Sequence, residues 1–161
     1  MKCLFIDRDG CINRNIKGEY VFKINDFFLV WGIEKILLNF QRAGYLIFII
    51  TNQGCISKGL CTEKDVDILH FHMRKMLEEK GVHITKIYYC PHHTDNEICK
   101  CRKPGTELFE KAIKTYSIDV RKSYLIGDSQ ADIIAGIKLK IGHLHLINSN
   151  DIEPLFKIEP C

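Results

Sequence analysis

One pattern recurs along this chain and constrains its fold most. A short apolar run stops abruptly in polar or acidic side chains. Residues 3–6 end in Asp7-Arg8-Asp9-Gly10, residues 45–50 in Thr51-Asn52-Gln53-Gly54, residues 84–89 in Cys90-Pro91-His92-His93, and residues 123–126 in Gly127-Asp128-Ser129. Short apolar runs bounded by turn residues predict buried strands. Amphipathic helices are predicted between them. Ile33, Ile36, Leu37 and Phe40 mark the first, ending near Gly44. Val66, Leu69, Met73, Met76 and Leu77 mark the second, with Thr62 as N-cap and Gly81 as the stop. Leu108, Phe109, Ala112, Ile113 and Tyr116 mark the third, and a fourth runs to about Leu139 with Ile133, Ile134 and Ile137 inward. Residues 143–147 predict a fifth strand. Alternating strands and helices predict an α/β domain with a mostly parallel sheet, where ligands bind beyond the carboxyl ends of the strands. The polar stops are therefore aimed at a site.

The chain has 161 residues, of which 46% are hydrophobic and 27% charged, and is expected to form a single domain spanning 1–161. Residues 11–30, with Asn13, Asn15, Lys17 and Gly18, read as an exposed loop at the catalytic end. Residues 148–161 read as a short, polar, loosely attached tail. The net charge of +3 comes from scattered basic residues, so no nucleic-acid partner is expected. No apolar run approaches the ~18 residues of a membrane span, and Asp7 interrupts the N-terminal apolar stretch too early for a signal peptide. A cytoplasmic, monomeric protein with no membrane association is expected.

Eight cysteines could form disulfides, but a cytoplasmic chain keeps its thiols reduced. Their distribution is uneven. Cys3, Cys11, Cys55, Cys61 and Cys161 are dispersed and read as small core or loop residues. Cys90, His92, Cys99 and Cys101 supply the four ligands that zinc takes in a tetrahedron. Four protein ligands leave no open position, so such a zinc site is structural. His93 is the rival to His92.

The other stops suggest chemistry on an anion. Asp7 can be a nucleophile or metal ligand, and Asp9, two residues on, an acid/base; the plain alternative is a strand followed by a charged turn. Thr51 offers a hydroxyl to an anionic oxygen, or is simply part of a polar loop. Arg102 and Lys103, next to the zinc ligands, can clamp a phosphate or be a solvated basic pair. Asp128 can hold Mg²⁺ with Asp7, or cap a helix together with Ser129. His70 and His72 read as surface or helix-face residues, and Arg8 is given no chemistry.

Taken in order, Asp7-Arg8-Asp9-Gly10, Thr51-Asn52-Gln53, Lys103 and Gly127-Asp128 with Asp132 resemble the haloacid-dehalogenase-like phosphatase superfamily over roughly residues 2–147. The segment Cys90-Pro91-His92-His93, followed by Cys99-Lys100-Cys101-Arg102-Lys103-Pro104, narrows the resemblance to the subfamily of D,D-heptose 1,7-bisphosphate and histidinol-phosphate phosphatases. The resemblance implies a three-layer Rossmann-like fold without a large cap domain. It implies that Asp7 attacks phosphorus to form an aspartyl-phosphate while Asp9 serves as acid, then base. It also implies a catalytic Mg²⁺ on Asp7, the Asp9 backbone carbonyl and Asp128, with Asp132 supporting that site, and Thr51 and Lys103 on the transferring oxygens. Gly18, Tyr20, Asn52, Gln53 and Arg102 would contact substrate.

Two substrates compete. Residues 51–59, with Thr62, and Gly18-Glu19-Tyr20-Val21 resemble the heptose enzymes of surface-glycan synthesis and imply hydrolysis of a 7-phosphate. The short spacing from His92 to Cys99 is nearer the histidinol-phosphate type. Gly54-Cys55 departs from the subfamily's usual Ser/Ala-Gly. From another class, the alternative is a zinc-stabilised binding module with a vestigial site.

Overall fold

The computed structural model describes residues 1–95 and 99–160. The expectation for Cys161 lies outside the described residues. Five strands form one sheet, β1 (Cys3–Ile6), β2 (Leu46–Asn52), β3 (Lys86–Cys90), β4 (Tyr124–Gly127) and β5 (His143–Leu146), in the order β3-β2-β1-β4-β5. Every pairing is parallel. Four helices connect them: α1 (Ile33–Arg42), α2 (Glu63–Glu78), α3 (Glu107–Tyr116) and α4 (Gln130–Lys138).

The central strand shows how the layers arise. Side chains alternate across a strand, so Leu4 and Ile6 join one core cluster while Cys3 and Phe5 join the other. The first cluster takes Ile33, Ile36, Leu37 and Phe40 of α1 with Leu69, Met73 and Leu77 of α2. The second takes Phe109 and Ala112 of α3 with Ala135 of α4. Both faces of the sheet are thus covered, which is why its strands read as continuous apolar runs. The result is a three-layer Rossmann-like fold with, among the described residues, no insertion large enough for a cap domain. Among the described residues, no helix is long and apolar enough to cross a membrane.

Several expectations are corrected. β2 runs on through Thr51 and Asn52, which pair with Tyr89 and Cys90 of β3, so these polar residues belong to the strand itself. On α4, Ile134 and Ile137 are exposed, and Asp132, Ala135 and Gly136 face inward. A side chain at Gly136 would collide with Leu144 and Leu125; helix and sheet approach too closely there for a branched residue. The tail is not loose: Ile152 and Leu155 are core residues, and a 3₁₀ turn at Glu153–Lys157 presents Leu155 inward. In the 11–30 segment, Cys11, Ile12, Asn13, Val21, Phe27 and Val30 are buried, so only part of it is an exposed loop.

Candidate active site

β1 lies between β2 and β4, so Asp7, Thr51 and Asp128 leave adjacent strand ends on one side of the sheet. Gly10 permits the close approach. Its φ is 83°, and a Cβ there would collide with an Asp128 carboxylate oxygen.

Lys103 enters this cluster from the segment after β3. Its Nζ lies 2.9 Å from Asp7 Oδ1 and 2.6 Å from Asp132 Oδ1, and donates to the Ile50 carbonyl at 2.8 Å. The ammonium is buried. Burial opposes its charge, but the two carboxylates prevail and raise its pKa further. Asn52 fixes the backbone that delivers it: its Oδ1 accepts from Lys103 N–H at 3.0 Å, and its Nδ2 donates to the Lys103 carbonyl at 3.2 Å. Asp132 is held in turn by Ser129, whose hydroxyl donates to Oδ2 at 2.5 Å in a capping box that starts α4.

Oxygens of Asp7, Asp128 and Asp132 lie within 4.8 Å of one another. Burial pushes the Asp7 carboxyl up to about 7 in spite of Lys103, and it raises Asp128 as well. Three gathered carboxylates against one ammonium leave surplus negative charge in a desolvated place. That donor set fits a hard dication such as Mg²⁺.

Asp9 has a different environment. Burial works to raise its pKa, but the Arg8 charge and hydrogen bonds from Asn13, Arg8 and Gln53 outweigh it and hold the carboxyl below its ordinary range. Arg8 Nη2 reaches both Asp9 oxygens at 2.9 Å, Asn13 Nδ2 donates at 3.0 Å and Gln53 Nε2 at 2.8 Å. Gln53 Nε2 also donates to the Thr51 hydroxyl at 2.9 Å, which ties Asp9 to Thr51. Behind Arg8 stands His70, with Nε2 3.1 Å from Arg8 Nη1. Arginine only donates, so His70 accepts there as a neutral imidazole. Burial, then the Arg8 charge, push its pKa down to about 3. The expectations that Arg8 has no part and that His70 is superficial are therefore corrected. Residue type alone made them look like surface groups; the clue was the position of Arg8 between two aspartates at a strand end.

The second constellation lies beside the first. Cys90 ends β3, and its Sγ is 3.5 Å from Cys99 Sγ, 3.1 Å from Cys101 Sγ and 3.5 Å from His92 Nδ1. Cys99 and Cys101 are 3.4 Å apart, and His92 Nδ1 is 3.2 Å from Cys101. Zinc–sulfur bonds of ~2.3 Å imply tetrahedral edges of ~3.8 Å. The four groups stand slightly inside that spacing, as soft ligands gathered about one point. Burial acts to raise the Cys99 thiol, but the Arg102 N–H and the neighbouring Cys101, Cys90 and His92 bring it down to about 7, which favours the thiolate a metal needs. His93 stays outside the quartet, and its Nδ1 accepts from the Asp95 backbone N–H at 3.2 Å. Arg102 Nη1 donates to the His92 carbonyl at 2.9 Å. Gly18 and Tyr20 line a separate cavity of about 500 Å³ with Lys58 and Leu60, and Lys58 stands over the Tyr20 ring at 5.6 Å.

The family model described as polynucleotide kinase 3 phosphatase matches residues 2–144. A D-glycero-alpha-D-manno-heptose-1,7-bisphosphate 7-phosphatase of Photorhabdus laumondii is 40% identical over 92% of this chain and 84% of its own length. A D-glycero-beta-D-manno-heptose-1,7-bisphosphate 7-phosphatase of Haemophilus ducreyi is 39% identical over 87% and 81%. Among solved structures, D,D-heptose 1,7-bisphosphate phosphatase from B. bronchiseptica, complexed with magnesium and phosphate, superposes with a TM-score of 0.79 at 26% identity, covering 86% of this chain and 76% of that one.

Proposed function

This chain belongs to the polynucleotide kinase 3 phosphatase family of haloacid-dehalogenase-like phosphatases, and on that premise we propose that it removes the 7-phosphate of D-glycero-D-manno-heptose 1,7-bisphosphate through a phosphoryl group carried on Asp7. The observation that supports this most is Asp7 itself: a carboxylate at the end of the central strand, 2.9 Å from a buried lysine and within reach of Asp128.

In the first step an Asp7 oxygen attacks phosphorus and the bond to the sugar O7 breaks. Asp9 gives its proton to that oxygen. In the second step Asp9 takes a proton from water, the hydroxide attacks phosphorus, and the Asp7 carboxylate is released. The free protein holds Asp9 ionised, ready for the second step. The arriving phosphate dianion raises its proton affinity, which suits the first. Thr51 and Lys103 face the transferring oxygens, where fixed donors act on developing charge. The carboxylates of Asp7 and Asp128 and the backbone carbonyl of Asp9 would hold Mg²⁺. When bound, that ion offsets the repulsion between an anionic nucleophile and an anionic ester. Asp132 acts on the same site by anchoring Lys103. Asn52 and Gln53 serve through Lys103 and Asp9, and in this reading Arg102 and the cavity lined by Gly18 and Tyr20 take the rest of the sugar.

Zn²⁺ on Cys90, His92, Cys99 and Cys101 is a structural staple in this reading, and thiols that must stay reduced to hold it suit the cytoplasm. The His92–Cys99 spacing favours histidinol phosphate as the second candidate. Phosphate release measured side by side on both substrates decides between them. We expect a higher kcat/KM on the heptose bisphosphate; a higher value on histidinol phosphate overturns the assignment.

A further inference from the structure

Cys55 and Cys61 are far from dispersed in space. Their sulfurs lie 2.9 Å apart, with Cys55 buried and Cys61 partly exposed. The turn between them is closed by its own backbone: Lys58 N–H donates to the Gly54 carbonyl at 3.2 Å, Gly59 N–H to Ile56 at 2.9 Å, and Leu60 N–H to Cys55 at 3.0 Å. Cys61 is further fixed because Thr62, next in sequence, caps α2 in a capping box with Asp65. The fold itself brings the two thiols together.

The pair differs from the quartet in what surrounds it. Among the described residues, groups of three or more possible metal ligands are confined to the quartet and to Asp7, Asp128 and Asp132. Two thiols in contact without a third ligand match what a disulfide needs and lack what a metal needs. The sulfurs are ~0.9 Å beyond a disulfide bond length of ~2.05 Å.

We propose that Cys55 and Cys61 form a reversible disulfide on exposure to a hydroperoxide. The sulfur of the partly exposed Cys61 attacks the hydroperoxide, the O–O bond breaks, and Cys61 becomes a sulfenic acid with release of water or an alcohol. The Cys55 sulfur then displaces the sulfenic oxygen, which leaves as water with the Cys55 proton. Two thiols lose two electrons and two protons, and the hydroperoxide is reduced. Burial, together with Cys61 beside it, pushes the Cys55 thiol up to about 12, which suits it to the second step rather than the first.

The pair adjoins the active site through one side chain. Cys55 Sγ lies 3.8 Å from the Gln53 carbonyl and 3.9 Å from Gln53 Oε1, and Gln53 donates to Asp9 and Thr51. Oxidation removes the S–H that faces Gln53 and draws the Cys55 sulfur toward Cys61. The acid/base carboxylate loses part of its alignment.

The test treats the whole zinc-loaded protein with graded hydrogen peroxide, alkylates the remaining thiols, digests with trypsin and maps peptides without reduction. Trypsin cuts after Lys58, between the cysteines, so the disulfide joins two separate peptides. We expect that linked species at doses that leave zinc bound, its disappearance with dithiothreitol, and a several-fold loss of phosphate release that dithiothreitol restores. Cys61→Ser should keep its untreated activity and resist the same dose. Oxidation of the quartet while Cys55 and Cys61 stay alkylated overturns the proposal, and so does equal inactivation of Cys61→Ser. A linked peptide with undiminished activity overturns the coupling to Gln53. The peptide map is read without any substrate, so it stands apart from the assignment of the reaction.

Discussion

The acid cluster and the cysteine–histidine quartet are neighbours, with only Arg102 between Cys101 and Lys103, yet they are stabilised in opposite ways. The acid cluster is built from strand ends and balances part of its own charge, with Lys103 between Asp7 and Asp132. The quartet is gathered mostly from backbone without regular structure: only Cys90 stands in a strand. Its three thiols crowd within 3.5 Å of one another. One region is organised by the fold; the other, in the proposed reading, is held in place by a metal. Because Lys103 follows the quartet directly, damage to the second region should reach the first, while damage to the first should stay local.

The sharpest way to break this comparison is Asp7→Asn. It should lower kcat on the order of 10³-fold or more, as loss of a nucleophile does, while thermal melting shifts by less than about 1 kcal/mol, because the substitution removes a buried carboxylate whose charge burial disfavours. Unfolding of that variant would show that the pocket is not self-sufficient. Cys99→Ser, or chelation, should act the other way round. Zinc content should fall from about one per chain, stability should drop by more than about 3 kcal/mol, and activity should follow as Lys103 loses its place. Retained melting with full zinc loss would contradict the staple.

His70→Gln sharpens the account of the pocket. Folded His70 stays neutral to about pH 3, whereas the unfolded chain takes up its proton near 6.5. The unfolded state therefore binds more protons in that window, and the stabilising contribution, present above pH 6.5, is lost as pH falls toward 3. Between pH 7 and 4.5 the wild type should lose about 2 kcal/mol more than the variant by chemical denaturation; equal slopes would contradict a buried neutral imidazole. Asn52→Ala has the smallest expected effect. It removes two hydrogen bonds to the Lys103 backbone and should cost about 1–2 kcal/mol, with a loss of activity that Asn52→Asp, which keeps the acceptor, partly recovers. Full activity in Asn52→Ala would free Lys103 from this support.

The same contrast explains what the sequence made legible. The strand ends and the quartet could be read because each is local: an apolar run stops at an acid, or four soft ligands crowd into twelve residues. The His70–Arg8–Asp9 chain could not, because 62 residues separate Arg8 from His70 and buried polar residues look like surface ones until a partner is found. Asn52 and Gln53 illustrate the same limit, since polar side chains after a strand suggest substrate contacts while their hydrogen bonds go to Lys103 and Asp9. On α4, three isoleucines outweighed the small residues Ala135 and Gly136, yet the close approach to Leu144 requires the small ones. Ile152 and Leu155 lacked a periodicity that would have marked them as core.

The central claim is that Asp7 carries the phosphoryl group. A single turnover of heptose 1,7-bisphosphate with Mg²⁺, quenched in acid and followed by mass spectrometry of the N-terminal peptide, tests it directly. The account predicts a phosphoryl group on Asp7 of the wild type that rises and decays within the turnover, and none in Asp7→Asn. Product formation with no phosphoryl group ever found on Asp7, or wild-type turnover by Asp7→Asn, would contradict it.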